Sequence, residues 1–211
     1  MNKSKWATAT DTVPEPCQIL WTYLRPFCLG HHLLFKTFAL PFAGNPLADC
    51  GHADILIGVF ICSLSYEAAL EMLHNDTWHK AFARWKKNLR GPWWKRRQPN
   101  LDESEMLFRA YLQDGYSMPP VWRRAHDNNT ISMSQPWESL LLHRLMIGGF
   151  SKTEVANGYL PAQWYSYFAL LEIRQAENCT DPKSFHRIFY TREEWELEHP
   201  EGDEPESKEP Q

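Results

Sequence analysis

The stretch from Arg84 to Arg97 carries side chains suited to recognising a polyanion: Arg84, Lys86, Lys87, Arg90, Lys95, Arg96 and Arg97, interleaved with Trp85, Trp93 and Trp94. Lysine and arginine neutralise phosphates, and indoles offer flat faces on which bases stack. Arg84, Lys87, Trp93, Trp94, Lys95, Arg96 and Arg97 are therefore the candidate partner-binding residues. An acidic protein partner is a second use of the same side chains, and the chain's own acidic end is a candidate occupant. A plainer reading competes with both. Trp85 is then a core residue on a helix whose outer face is merely solvated, and Trp93-Trp94 fill a groove after the Gly91-Pro92 turn. The plainer reading takes precedence, because a short basic patch on an acidic protein specifies little.

Other constellations weaken on inspection. Asp49-Cys50-Gly51-His52, followed by Asp54, puts a thiol, an imidazole and carboxylates side by side. Structural zinc needs paired ligands in short loops, and nucleophilic sites bring Cys and His together from separate segments, so this run is expected to be a loop and helix cap. His31 and His32 face different directions on a helix, which predicts one at the core edge and one in solvent. Gly149-Phe150-Ser151-Lys152-Thr153 begins like a nucleophile elbow but lacks its last glycine and lies between two helices. No GxxxxGK[ST] loop, GxGxxG turn or HExxH helix occurs. The sequence thus nominates no catalytic residue, metal ligand or cofactor site, and enzymatic function is the last expectation.

The elements that must position these side chains read as helices. Short helices are predicted at Gln18–Leu24 and Gly30–Leu40, split by Arg25-Pro26 because proline disfavours helical geometry in the residue before it. A loop at 42–51 precedes His52–Ser63, which is apolar on nearly every face and should be central. Ser65 is placed to cap Tyr66–His74, and Asp76 or Thr77 to cap Trp78–Leu89, where Trp78, Phe82, Trp85 and Leu89 share one stripe opposite a basic side. Asn100 caps a helix over 101–114 that sets Glu105 and Arg109 at pairing distance. Pro136 opens a helix through Ile147, and Ser151-x-x-Glu154 is a capping box for a short helix ending near Gly158. Pro161 opens the longest helix, about 161–177, with Trp164, Phe168, Leu171 and Gln175 on one face that is expected to be buried. Further on, Asp181-Pro182 reads as the start of another helical turn, and Thr191-x-x-Glu194 as a second capping box.

The expected fold is all-α, with two small helical subdomains. Residues 1–16 form a flexible arm, 17–114 an N-terminal helical domain, 115–135 a linker, 136–199 a C-terminal helical domain, and 200–211 a disordered acidic tail. Composition allows such cores: of 211 residues 43% are hydrophobic, with ten Trp, eleven Phe and eight Tyr. The net charge of −4 gives no global attraction to nucleic acid or anionic membrane. Five cysteines without a CxxC pair, and a polar start without an apolar leader, point to a reducing, cytoplasmic compartment. The longest apolar run, Ile55 to Leu64, is about half of a bilayer span.

The segment order carries a family resemblance. Arg25-Pro26-Phe27-Cys28-Leu29-Gly30-His31-His32-Leu33-Leu34, then Pro41-Phe42, Phe60-Ile61-Cys62-Ser63 and Tyr66-Glu67, resemble the opening of small proteins encoded in bacteriophage and prophage tail modules. Trp137-Glu138-Ser139-Leu140-Leu141, Gly149 to Glu154, and the Trp164-bearing helix resemble the pattern of tail assembly chaperones from long-tailed phages. The resemblance covers most of residues 25–175. It implies a non-enzymatic protein that binds the tape measure protein or tail-tube subunits, in the bacterial host cytoplasm, and is absent from the finished particle. A virion structural component and a nucleic-acid-binding accessory protein using residues 84–97 are the alternatives.

Overall fold

Residues 17–24, Cys-Gln-Ile-Leu-Trp-Thr-Tyr-Leu, form a hairpin in the computed structural model rather than the helix expected over Gln18–Leu24. Strands β1 (Cys17–Ile19) and β2 (Thr22–Leu24) pair antiparallel, with Cys17 opposite Leu24 and Ile19 opposite Thr22. Leu20 and Trp21 make the turn in left-handed backbone, with φ of 52° and 58°. A two-residue hairpin turn of this hand normally takes Asn-Gly, so neither residue type announces it. Burial of Ile19, Leu20 and Leu24 holds the hairpin down.

The structure describes residues 17–89, 100–117, 121–123, 136–177 and 189–191, and these are mostly helical. The helices are α1 (Leu29–Thr37), α2 (His52–Ser63), α3 (Tyr66–His74), α4 (Trp78–Asn88), α5 (Leu101–Gly115), α6 (Trp137–Ile147), α7 (Lys152–Asn157) and α8 (Leu160–Glu177). Strand β3 (Val121–Arg123) pairs antiparallel with β4 (Phe189–Thr191), so the presumed connection at 115–135 contains a strand whose partner is distant in sequence. The arm 1–16, the turn at Asp181-Pro182, residues 192–194 of the second capping box, and the acidic segment 200–211 lie outside the described residues. No single helix among the described residues is long and apolar enough to cross a membrane.

Two compact units result: the described part of Thr12–Ser117 with Ser151–Pro161, and the described parts of Met118–Phe150 and Ala162–Gln211. The short helix α7 therefore belongs with the first unit. It packs on α1, where Gly30 lets the elements close so far that an added Cβ would meet the Ala156 carbonyl oxygen at 2.7 Å. Asn157 completes the seat by accepting the Tyr66 N–H at 3.1 Å and donating to Glu67 at 2.7 Å.

The first unit is built around rings. Phe35 meets Phe27 at 5.7 Å and Phe42 at 4.9 Å, and Phe42 meets Phe108 at 5.4 Å, all with negligible exposure. Central helix α2 supplies Ile55, Val59, Phe60, Ile61 and Cys62 to this core. Its Gly58 admits the Phe42 and Phe108 rings. The predicted caps form: Ser65 Oγ accepts the Ala68 N–H, Asn100 Oδ1 accepts the Glu103 N–H, and Ser151 and Glu154 make the reciprocal box. Thr77 sits at the start of α4 without a side-chain cap.

In the second unit, Leu141 and Leu145 of α6 are fully buried, and Trp137 lies 5.6 Å from Trp164 of α8. Trp164, Phe168 and Leu171 are half-buried, not buried as expected; Gln163 and Tyr167, one residue off that stripe, are the more covered.

Candidate docking surface

The polar side chains that looked chemical in sequence hold backbone in place. Arg109, on α5, reaches across to the 42–51 loop: Nη1 donates to the carbonyls of Pro46 (3.0 Å) and Ala48 (2.9 Å), Nη2 to Cys50 Sγ (3.3 Å), and Nε to Glu105 (2.9 Å). One guanidinium thus satisfies a loop that has no secondary structure of its own. The Glu105 carboxylate holds the Arg109 pKa above its ordinary value. Asp54 closes the loop by accepting the Gly51 N–H at 2.9 Å, so Asp49 to Asp54 is a loop and helix cap.

His31 and His32 are both buried, which corrects the expectation that one would face solvent. The physical reason is that each ring finds a partner inside. His31 Nε2 donates to the Leu64 carbonyl at 3.0 Å. His32 Nδ1 lies 2.8 Å from the Tyr116 hydroxyl, which also accepts the Gly44 N–H at 3.1 Å. Burial holds the His31 imidazole neutral, with its pKa lowered to about 4.

Cys17, Cys28, Cys50 and Cys62 are free thiols. Desolvation pushes Cys28 up to about 12 and Cys62 well above its ordinary value, so both stay protonated near neutral pH and are poor nucleophiles. Among the described residues, no group of three or more His, Cys, Asp or Glu side chains is arranged to hold a metal ion.

Arg84 and Lys87 of the sequence-predicted site lie exposed on α4, whereas Trp93, Trp94, Lys95, Arg96 and Arg97 lie outside the described residues. Trp85 belongs to the core side, 5.3 Å from Phe60, with its indole N–H donating to Thr22 Oγ1 at 3.1 Å. The plainer reading of Trp85 therefore holds.

Sequence reasoning missed the apolar surface beside the hairpin. Trp21 is 57% exposed, Tyr23 68%, Met106 69% and Leu107 46%. Trp21 and Leu107 border a groove of about 280 Å³ whose walls include Leu20, Gln18, Asn100 and Glu103. Reading Gln18–Leu24 as helix concealed it, and strands of three residues joined by Leu20-Trp21 carry no sequence signal that would have revealed the hairpin.

No protein-family model, curated protein or solved structure matches the chain.

Proposed function

We propose that this chain is a non-enzymatic docking protein of the phage tail assembly chaperone type, which holds a segment of the tape measure protein or of a tail-tube subunit until assembly. The observation that carries the reading is the Trp21 hairpin tip. Two apolar residues occupy strained left-handed positions, and the outcome is an indole presented to solvent beside a groove. Left-handed backbone costs a non-glycine residue about 1 kcal/mol or more, so folding alone would favour glycine at position 21. An exposed aromatic beside a groove of mixed polar and apolar lining is an anchor of the kind that partner segments use. The family resemblance, which covers most of residues 25–175, is what points to this partner.

Trp21→Gly tests this directly, because it relieves the backbone while removing the anchor. Co-expression with candidate tape measure and tail-tube proteins should give co-purification with the wild type and loss of it with Trp21→Gly, while the variant's stability is unchanged or higher. Failure of the wild type to bind any tail subunit removes the chaperone reading. Presence of the chain in purified particles would instead make it a virion component.

A further inference from the structure

We infer that the outer face of α4 is a second, independent interaction surface that binds the phosphate backbone of nucleic acid without reading sequence. From Thr77 to Leu101 the chain has eight lysines and arginines and no acidic residue, in a protein whose net charge is −4. The fold decides where the α4 cations point. Trp78, Phe82 and Trp85 lie against Phe60 at 5.0, 5.4 and 5.3 Å, which fixes the rotation of the helix and turns His79, Lys80, Arg84, Lys86 and Lys87 outward. Lys80, Arg84 and Lys87 fall at i, i+4 and i+7, a line about 10 Å long on one face. None of these three has an ion-pair partner among the described residues.

Helix stability does not account for the pattern. Lys86 and Lys87 at the C-terminal end favour the helix dipole, but Lys80 stands in the first turn, where it disfavours a cation. That turn has neither an acidic residue nor a side-chain cap, a lack it shares with α1, whereas α2, α3, α5, α6 and α7 each carry Asp or Glu there.

The partner is chosen by what the face lacks. Its exposed residues are Lys80, Arg84, Lys86, Lys87, His79, Asn88 and the single methyl of Ala83, so a protein would find no large apolar anchor. With Trp78 and Trp85 turned inward, the helix offers no indole for base stacking, which leaves contact with phosphates. A duplex presents one phosphate charge per roughly 1.7 Å of its axis, so a line of this length meets several at once.

The test is fluorescence anisotropy of the full chain with a labelled duplex of about 20 base pairs, titrated at salt from about 50 to about 200 mM. Three phosphate contacts predict a log–log slope near −2.7 and a fall in affinity of roughly 40-fold across that range. K80Q/R84Q/K87Q, with its helix content checked by circular dichroism, should lose most of the slope and the binding. An absence of duplex binding at the lowest salt would overturn the assignment, and so would an unchanged slope in the triple variant. Competition by polyglutamate of equal charge as effective as unlabelled duplex would assign the face to an acidic protein instead. The Trp21→Gly variant should bind duplex like the wild type, which keeps this result separate from the tail-protein reading.

Discussion

Lowering the pH should destabilise the first unit through one residue, His31. Its ring is buried, its Nε2–H is committed to the Leu64 carbonyl, and Nδ1 has no hydrogen-bond partner, so protonation would place a charge where no group receives it. Nearby Arg25 adds a smaller push in the same direction, while the bond to Leu64 opposes it. The folded pKa of about 4 lies below the ordinary 6.5, so the unfolded chain binds the extra proton between those values. Stability from this group is therefore full above about pH 6.5 and declines as pH falls toward 4. Between about pH 7.5 and about pH 4.5 the loss amounts to about 2–3 kcal/mol. Urea unfolding of the wild type and of His31→Gln at the two pH values measures it. Glutamine retains a donor for Leu64 and does not titrate, and the carboxylates common to both proteins cancel in the difference. Equal pH dependence in the two proteins would refute the argument, as would an NMR titration of the His31 ring in the wild type with a midpoint near 6.5.

Arg109→Lys should cost about 1–3 kcal/mol, since an ammonium cannot reproduce the guanidinium's fan of bonds to Pro46, Ala48, Cys50 and Glu105, and hydrogen exchange should quicken at the Ala48 amide of the 42–51 loop. Gly30→Ala should destabilise by roughly 1–3 kcal/mol in urea melts despite alanine's better helix propensity, because the added methyl strikes the Ala156 carbonyl and Tyr66. Trp85→Phe keeps the ring against Phe60 but loses the bond to Thr22, a loss of about 1 kcal/mol readable in the same melts.

Much of the fold follows from local signals. Caps at Ser65, Asn100 and Ser151, the break at Gly148-Gly149, and the stripe of Trp78, Phe82 and Trp85 depend on residues within one or two turns of each other, and these helices lie where those signals place them. The described residues are mostly helical, as the all-α reading expects, and the local departure lies at the short strands. A three-residue strand has too few residues to show a period, and β3 is stabilised by β4, about seventy positions away.

The candidate surfaces divide along the same line. The basic character of α4 was legible in its composition, because Lys80, Arg84, Lys86 and Lys87 lie within one eleven-residue helix. Its orientation was not, because Phe60, from a separate helix, sets the rotation. The Trp21 groove was invisible, since it forms only when the hairpin tip comes beside Leu107 of α5. His31 and His32 look alike in sequence, and only the arrival of the Leu64 carbonyl and the Tyr116 hydroxyl makes both of them interior. The sequence alone determined the helices from Leu29 onward, the caps at Ser65, Asn100 and Ser151, and the absence of acid between Thr77 and Leu101, because such features are local. Tertiary structure decided which polar groups hold backbone and which face solvent, because burial and hydrogen-bond partners come from residues distant along the chain.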